Sequence, residues 1–264
     1  MNKVISKDGT AIAYDRTGKG PLVIMVGGAL STRSVPQVKT LAELLAPRFT
    51  VIGYDRRGHG DSSDTAPYTV QREVEDIEAL IDANGGSASL YGHSSGAALA
   101  LEAANKLDGK IKKLALYEPP FLGTENSVRS YAEHLAKLKE LLKSDQRNEM
   151  LNYWMTDVTG TPAQYVVQMK NSPMWEGLVA LTPTLVYDLT IMNEYSKPAE
   201  RIDGLRIPTL AMDGGASPEW AHEAAQLLVD TIPNARRRTL PGQTHGADPE
   251  VLAPVLVEFL GERE

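Results

Sequence analysis

The chain has 264 residues, 42% hydrophobic and 23% charged, with 22 glycines and 16 prolines; this composition excludes a disordered or collagen-like chain and suffices for a sizeable core. It contains no cysteine, which excludes a disulfide scaffold, a thiol nucleophile and a cysteine-ligated zinc or iron–sulfur site. A formal net charge of -7 makes nucleic acid or an anionic membrane a poor partner, because nothing offsets the phosphate repulsion.

The opening residues, MNKVISKDGT, have no apolar stretch of signal-peptide type. No apolar run approaches the roughly 20 residues that span a bilayer. A soluble, cytoplasmic protein is expected. Val4–Ser6 and Thr10–Tyr14 read as a hairpin turned by Asp8-Gly9. Leu22–Val26 is a short apolar run suited to a strand covered on both faces. Val38, Leu41, Leu44 and Leu45 follow at helical spacing, then a buried strand, Phe49–Tyr54. Val70, Val74, Ile77, Leu80 and Ile81 form one amphipathic face, which Asn84-Gly85-Gly86 terminates. Ala88–Tyr91 is the next strand, Ala97–Ala104 a helix apolar nearly all round, and Ile111–Tyr117 a further strand.

The rhythm then breaks. Residues 121–205 offer no good buried strand; a helical face at Tyr131, Leu135, Leu138, Leu141 and Leu142 marks a helical insertion that also carries Trp154 and Trp175. Alternation resumes with a strand at Pro208–Met212, a helix starting at Ser217-Pro218, a strand at Ala235–Leu240 and a closing helix bearing Val251, Leu252, Val255, Leu256, Phe259 and Leu260. The expected organisation is a core from residues 1–120 and 206–264 with a helical cap over 121–205. Alternating strands and helices imply an α/β fold with a mostly parallel sheet. Ligands in such sheets bind at the carboxyl ends of the strands, here just after Val26, Tyr54, Tyr91, Tyr117, Met212 and Leu240.

One of those ends carries Gly92-His93-Ser94-Ser95-Gly96, a G-x-S-x-G motif between a strand and a helix. A serine on so tight a turn is held in a strained backbone conformation, and the positions two before and two after it must be small. The turn lifts the Ser94 hydroxyl off the sheet edge and aims the Ser95 N–H at the same space, beside a helix N-terminus that favours negative charge. Read blandly, the motif is a glycine-rich turn.

A serine nucleophile needs a base. Of the five histidines, His134 reads as a half-buried helix residue, His222 as a surface helix residue, and His93 as a packing residue aimed away from its neighbour. His59, in a loop after a strand, either lines the site or holds its loop. His245 follows the last strand in Pro241-Gly242-Gln243-Thr244-His245-Gly246 and is the favoured base.

The Gly27-Gly28 turn, the Gly53–Ser62 loop, the Gly92–Gly96 elbow, the helical insertion and the late His245 resemble, in the same order, the α/β-hydrolase fold over nearly the full chain. The resemblance implies an eight-stranded, mostly parallel sheet with a helical cap after the sixth strand, and a nucleophile–acid–histidine order. It implies oxyanion donors at the Ser95 and Gly28 backbone N–H groups; Val26 stands where the family has a histidine in its His-Gly pair. The family's usual acid, after the seventh strand, falls on Ser217, which carries no charge and reads as a helix N-cap with Pro218 at the first helical position. Asp248, before Pro249, reads as a cap too. Two carboxylates remain, Asp213 at the end of the seventh strand and Glu118 at the end of the sixth. Some relatives, haloalkane dehalogenases among them, place their acid at the sixth strand, and Pro119 keeps Glu118 extended. Glu118 is favoured, with Asp213 as the alternative.

Dehalogenases and epoxide hydrolases of this fold use an aspartate nucleophile, and a serine stands there instead. No dinucleotide fingerprint or metal-ligand spacing occurs, so no cofactor is expected. The expected activity is hydrolysis of a small ester, lactone or thioester with an apolar part, through an acyl-enzyme on Ser94. The alternatives are a C–C bond hydrolase, a cofactor-free haloperoxidase or perhydrolase, and a receptor that retains the fold without turnover.

Overall fold

The computed structural model describes residues 1–107, 109–121, 125–195 and 204–262. Eight strands form one sheet: β1 (Asn2–Ile5), β2 (Ala11–Thr17), β3 (Leu22–Val26), β4 (Thr50–Tyr54), β5 (Ala88–His93), β6 (Ile111–Tyr117), β7 (Thr209–Gly214) and β8 (Ala235–Leu240). Their order is β1-β2-β4-β3-β5-β6-β7-β8; β2 pairs antiparallel with both β1 and β4, and every other pairing is parallel.

Strand periodicity sorts side chains to two faces. Ile24, Val26, Ile52, Leu90, Leu114 and Leu116 pack against α2 (Val70–Ala83), α3 (Ser95–Lys106) and α9 (Glu219–Thr231). Val23, Met25, Val51, Tyr91, Ala115 and Tyr117 pack against α1 (Pro36–Leu45) and α10 (Pro249–Gly261). Each fully buried aliphatic side chain contributes about 1.5–3 kcal/mol of transfer free energy. The chain leaves β3 towards α1 on one face and β5 towards α3 on the other. The crevice between these diverging connections is the switch point where ligands of open α/β sheets bind.

Between β6 and β7 the described residues contain α4 (Glu125–Lys143), α5 (Arg147–Tyr153), a π-helical turn (Trp154–Val158), α6 (Ala163–Lys170), α7 (Trp175–Leu181), a 3-10 turn (Thr182–Thr184) and α8 (Leu185–Glu194). They share a separate apolar cluster that includes Leu138, Met150, Leu151, Trp154, Trp175 and Leu189. The expected segment ends at 121 and 205 adjoin residues 122–124 and 196–203, which lie outside the described residues.

Candidate active site

β5 runs into α3 with no loop between, and Ser94 sits at the junction with φ 55 and ψ -130. That strained conformation follows from the crowding around it. A Cβ at Gly92 would lie 2.6 Å from the Ala97 Cα, and one at Gly96 would run into the Val26 and Gly27 carbonyls. The elbow therefore closes only with glycine on both sides. The Ser94 N–H donates to the Tyr117 carbonyl at 3.0 Å, which ties the elbow to the end of β6.

Glu118, immediately beyond β6, is not extended as Pro119 led one to expect: it too has positive φ, at 45. Its carboxylate is fully buried and receives the Gly214 N–H at 2.8 Å and the Ser217 hydroxyl on Oε1. Oε2 lies 2.6 Å from His245 Nδ1. Burial pushes the Glu118 pKa up, but hydrogen bonds from His245, Ser217 and Gly214 outweigh it and hold the carboxyl below its ordinary value. With Nδ1–H directed at the carboxylate, Nε2 is left as the basic nitrogen of the neutral ring. The His245 loop is anchored on both sides: the Tyr117 hydroxyl donates to the Thr244 carbonyl at 2.6 Å, and His93 Nε2 donates to the His245 carbonyl at 2.8 Å.

Ser94, His245, His93 and Gly28 line one cavity of about 480 Å³. Met25, Val38, Leu41, Tyr91 and Leu252 carry it into the cleft between α1 and α10, while Leu30, Trp154 and Thr159 border it towards the inserted helices. A void among core side chains forfeits dispersion contacts that close packing would supply. Gly28 stands directly against the elbow: a Cβ there would lie 2.9 Å from the Ser94 Cβ.

Several expectations need correction. Asp213 is fully buried but does not meet His245; it takes Arg237 Nε at 2.8 Å, His222 Nδ1 at 2.6 Å and the Thr239 hydroxyl at 3.0 Å. Burial raises the Asp213 pKa, and Arg237, His222 and Thr239 more than reverse that. His222 is accordingly half-buried and paired rather than a free surface residue. Ser217 is not the N-cap of α9; Pro218 occupies that position, and the Ser217 hydroxyl is committed to Glu118. Asp248 does cap α10, accepting the Glu250 N–H at 2.9 Å. His93 does pack, against the Tyr117 and His245 rings with centroids 5.9 and 4.8 Å away, and it also borders the cavity and holds the His245 loop. Trp175 lies in the cluster of the inserted helices, donating to Asn148 Oδ1 at 2.8 Å, whereas Trp154 reaches the cavity.

The polar loop after β4 is architectural. Asp55 receives the Arg33 and Asp61 N–H groups at 2.8 and 2.9 Å and pairs with the Arg33 guanidinium. Arg57 forms a two-point pair with Asp76 at 2.7 and 2.8 Å. His59 is fully buried and donates from Nδ1 to the Arg57 carbonyl at 3.0 Å, so it holds the loop. His134 is half-buried between Ser130 and Tyr153. Among the described residues no group of three or more His, Asp or Glu could hold a metal ion, and no helix is long and apolar enough to cross a membrane.

Residues 23–255 match the alpha/beta hydrolase family, and the chain belongs to that family. It is similar to a solved alpha/beta hydrolase from Sphaerobacter thermophilus, with 49% identity and a TM-score of 0.89 over 98% of this chain and 100% of that one. A solved enol-lactonase from Burkholderia xenovorans shares the fold at 20% identity and a TM-score of 0.72, over 99% of this chain and 100% of that one. Among curated proteins, 94% of this chain matches the polyketide synthase ThaQ of Burkholderia thailandensis at 27% identity, spanning only 12% of that protein's length. The proline iminopeptidase PfmaB of Pestalotiopsis fici matches at 24% identity over 77% of this chain and 76% of its own.

Proposed function

We propose that this chain is a serine hydrolase that cleaves a small ester, lactone or thioester with an apolar acyl group. The observation that carries the reading is the 2.6 Å contact between Glu118 and His245 at the rim of the cavity that Ser94 also lines. His245 Nε2 takes the Ser94 proton as Oγ attacks the acyl carbon. The Gly28 and Ser95 N–H groups hold the developing oxyanion, and His245 then protonates the leaving group. Water, activated by the same nitrogen, attacks the acyl-enzyme and releases the acid and Ser94. Glu118 fixes the imidazole tautomer and stabilises its cation.

The apolar lining contributed by Met25, Val38, Leu41 and Leu252 supports a neutral hydrocarbon acyl group seated between α1 and α10. The inserted helices act as a cap, with Trp154 bordering the opening. The receptor alternative rested on the missing acid after β7, and Glu118 supplies a carboxylate in its place.

A fluorophosphonate probe tests the reading. Rapid labelling at neutral pH that Ser94→Ala abolishes is expected. An unlabelled wild-type chain would overturn it in favour of a receptor.

A further inference from the structure

A second cluster of buried charge lies behind the elbow. Ser95, the first residue of α3, is 1% exposed, and its hydroxyl donates to Asp188 Oδ1 at 2.7 Å. Asp188 sits on α8, the last described helix before β7, and is fully buried. The same oxygen receives Arg56 Nη1 at 2.6 Å. Arg56 in turn grips Glu73 of α2 at two points, 2.7 and 2.6 Å. Tyr68 donates to Glu73 at 2.8 Å and stacks on Tyr187, the neighbour of Asp188, with ring centroids 3.8 Å apart. The Tyr187 hydroxyl closes the frame on Asp64 at 2.6 Å.

This frame fixes one carboxylate oxygen from two sides. Asp188 Oδ2 is buried with no hydrogen-bond partner, so the carboxylate is oriented through Oδ1 alone. Burying an isolated anion is costly, and Arg56 supplies the opposite charge that makes it tolerable. Arg56 is shared between Asp188 and Glu73, so one guanidinium binds both carboxylates into a single frame. Packing an apolar residue at position 95 would have sealed the α3–α8 contact without this arrangement. What the hydroxyl adds is direction: it ties the rotation of the first α3 turn, and with it the Ser95 N–H, to a charged clamp on the inserted segment.

We propose that Asp188 is a positioning residue for the oxyanion hole, acting through the Ser95 hydroxyl and held in register by Arg56 and Glu73. The inserted segment thus contributes to the chemistry as well as to the walls of the pocket. The proposal rests on the reading of Ser94 as nucleophile and the Ser95 N–H as oxyanion donor.

Truncating Asp188 would cost Arg56 one of its three carboxylate bonds and leave a void between α3 and α8, mixing a packing effect with the positioning effect, so the test uses Ser95→Ala, which removes the clamp and keeps the N–H. Ester turnover, fluorophosphonate labelling and inhibition by a phenylboronic acid, which forms a tetrahedral adduct on a reactive serine, are measured on the full chain. The expected result is a kcat about tenfold lower with KM within about twofold. That is a partial loss beside the 10²–10³ that follows removal of an oxyanion donor. The boronate inhibition constant rises by the same factor as kcat falls, while the melting temperature stays within a few degrees. Wild-type kcat, labelling rate and boronate affinity in Ser95→Ala would overturn the positioning role alone. A wild-type chain that no probe labels would overturn the nucleophile reading, and this inference with it.

Discussion

His245 Nδ1 faces Glu118 Oε2 at 2.6 Å, while Asp213, a buried carboxylate at the end of β7, is committed to Arg237 and His222. The two acids should respond differently to loss of charge. In Glu118→Gln the amide presents a donor to Nδ1 and favours the tautomer that puts the proton on Nε2, where the base is needed. An expected fall in kcat of about 10³–10⁴ follows from the cost of the wrong tautomer in comparable triads. Asp213→Asn keeps kcat within about threefold but lowers the melting temperature, because Arg237 loses its anion. Steady-state kinetics and thermal melts of both variants check this; the reverse ranking would remove Glu118 from the site.

His93 gives the stability curve a slope at mildly acid pH. Burial, with the neighbouring His245 ring, pushes its pKa down from 6.5 to about 4. The unfolded chain therefore binds a proton near pH 6.5 that the native state refuses until about pH 4. The stability tied to neutral His93 is complete above about pH 6.5 and is lost progressively as pH falls towards 4. His93→Gln, which keeps an N–H donor for the His245 carbonyl, should lose less stability between pH 7 and pH 5 than the wild-type chain. Urea unfolding at the two pH values measures the difference, and equal losses would contradict it.

Local pattern carried the sheet: the strands expected at Leu22–Val26, Ile111–Tyr117 and Ala235–Leu240 coincide with β3, β6 and β8. The elbow was legible because its steric demand fixes residue types, glycine at 92 and 96 around a serine. Glu118 was legible from its strand end, but not from Pro119: the extended conformation expected before a proline gives way to a positive φ of 45. The rest depended on contacts between distant segments. Ser217 looked like a cap because Ser-Pro is a common helix start, yet Glu118, 99 residues away, competes for its hydroxyl. Nothing near Asp188 in sequence announces that it meets Arg56, 132 residues earlier, or Ser95, 93 residues earlier. On α8 it reads as one of several polar residues, beside Thr190, Asn193 and Glu194. Trp154 and Trp175 were equivalent in composition, and only packing of the inserted helices separates the one at the cavity from the one in their core.

Gly28 should tolerate no side chain without a kinetic cost. A Cβ there would come within 2.9 Å of the Ser94 Cβ, closer than real Cβ contacts come, and within 3.0 Å of the His93 carbonyl oxygen, tighter than most. Gly28→Ala must move the turn after β3 away from the elbow and take its N–H out of line with the oxyanion. The expected effect is a fall in kcat of about tenfold to a hundredfold with little change in KM, within the range for weakening one oxyanion donor. A variant with wild-type kcat would place the second donor elsewhere.

The α1–α10 cleft makes a prediction about chain length. Leu41 is 5% exposed and lines the cavity together with Val38 on the same helix. Leu41→Phe places added volume where a hydrocarbon tail would lie, while Ser94, His245 and the Gly28 turn keep their surroundings. Each methylene that a hydrophobic pocket accepts or refuses changes discrimination by roughly 10–200-fold. With p-nitrophenyl esters of increasing acyl length, kcat/KM for the octanoate should fall by about tenfold or more. The acetate, too short to reach α1, should stay within about threefold. An octanoate kcat/KM as little changed as that of the acetate would mean that the acyl group lies under the inserted helices instead, against Leu30 and Trp154.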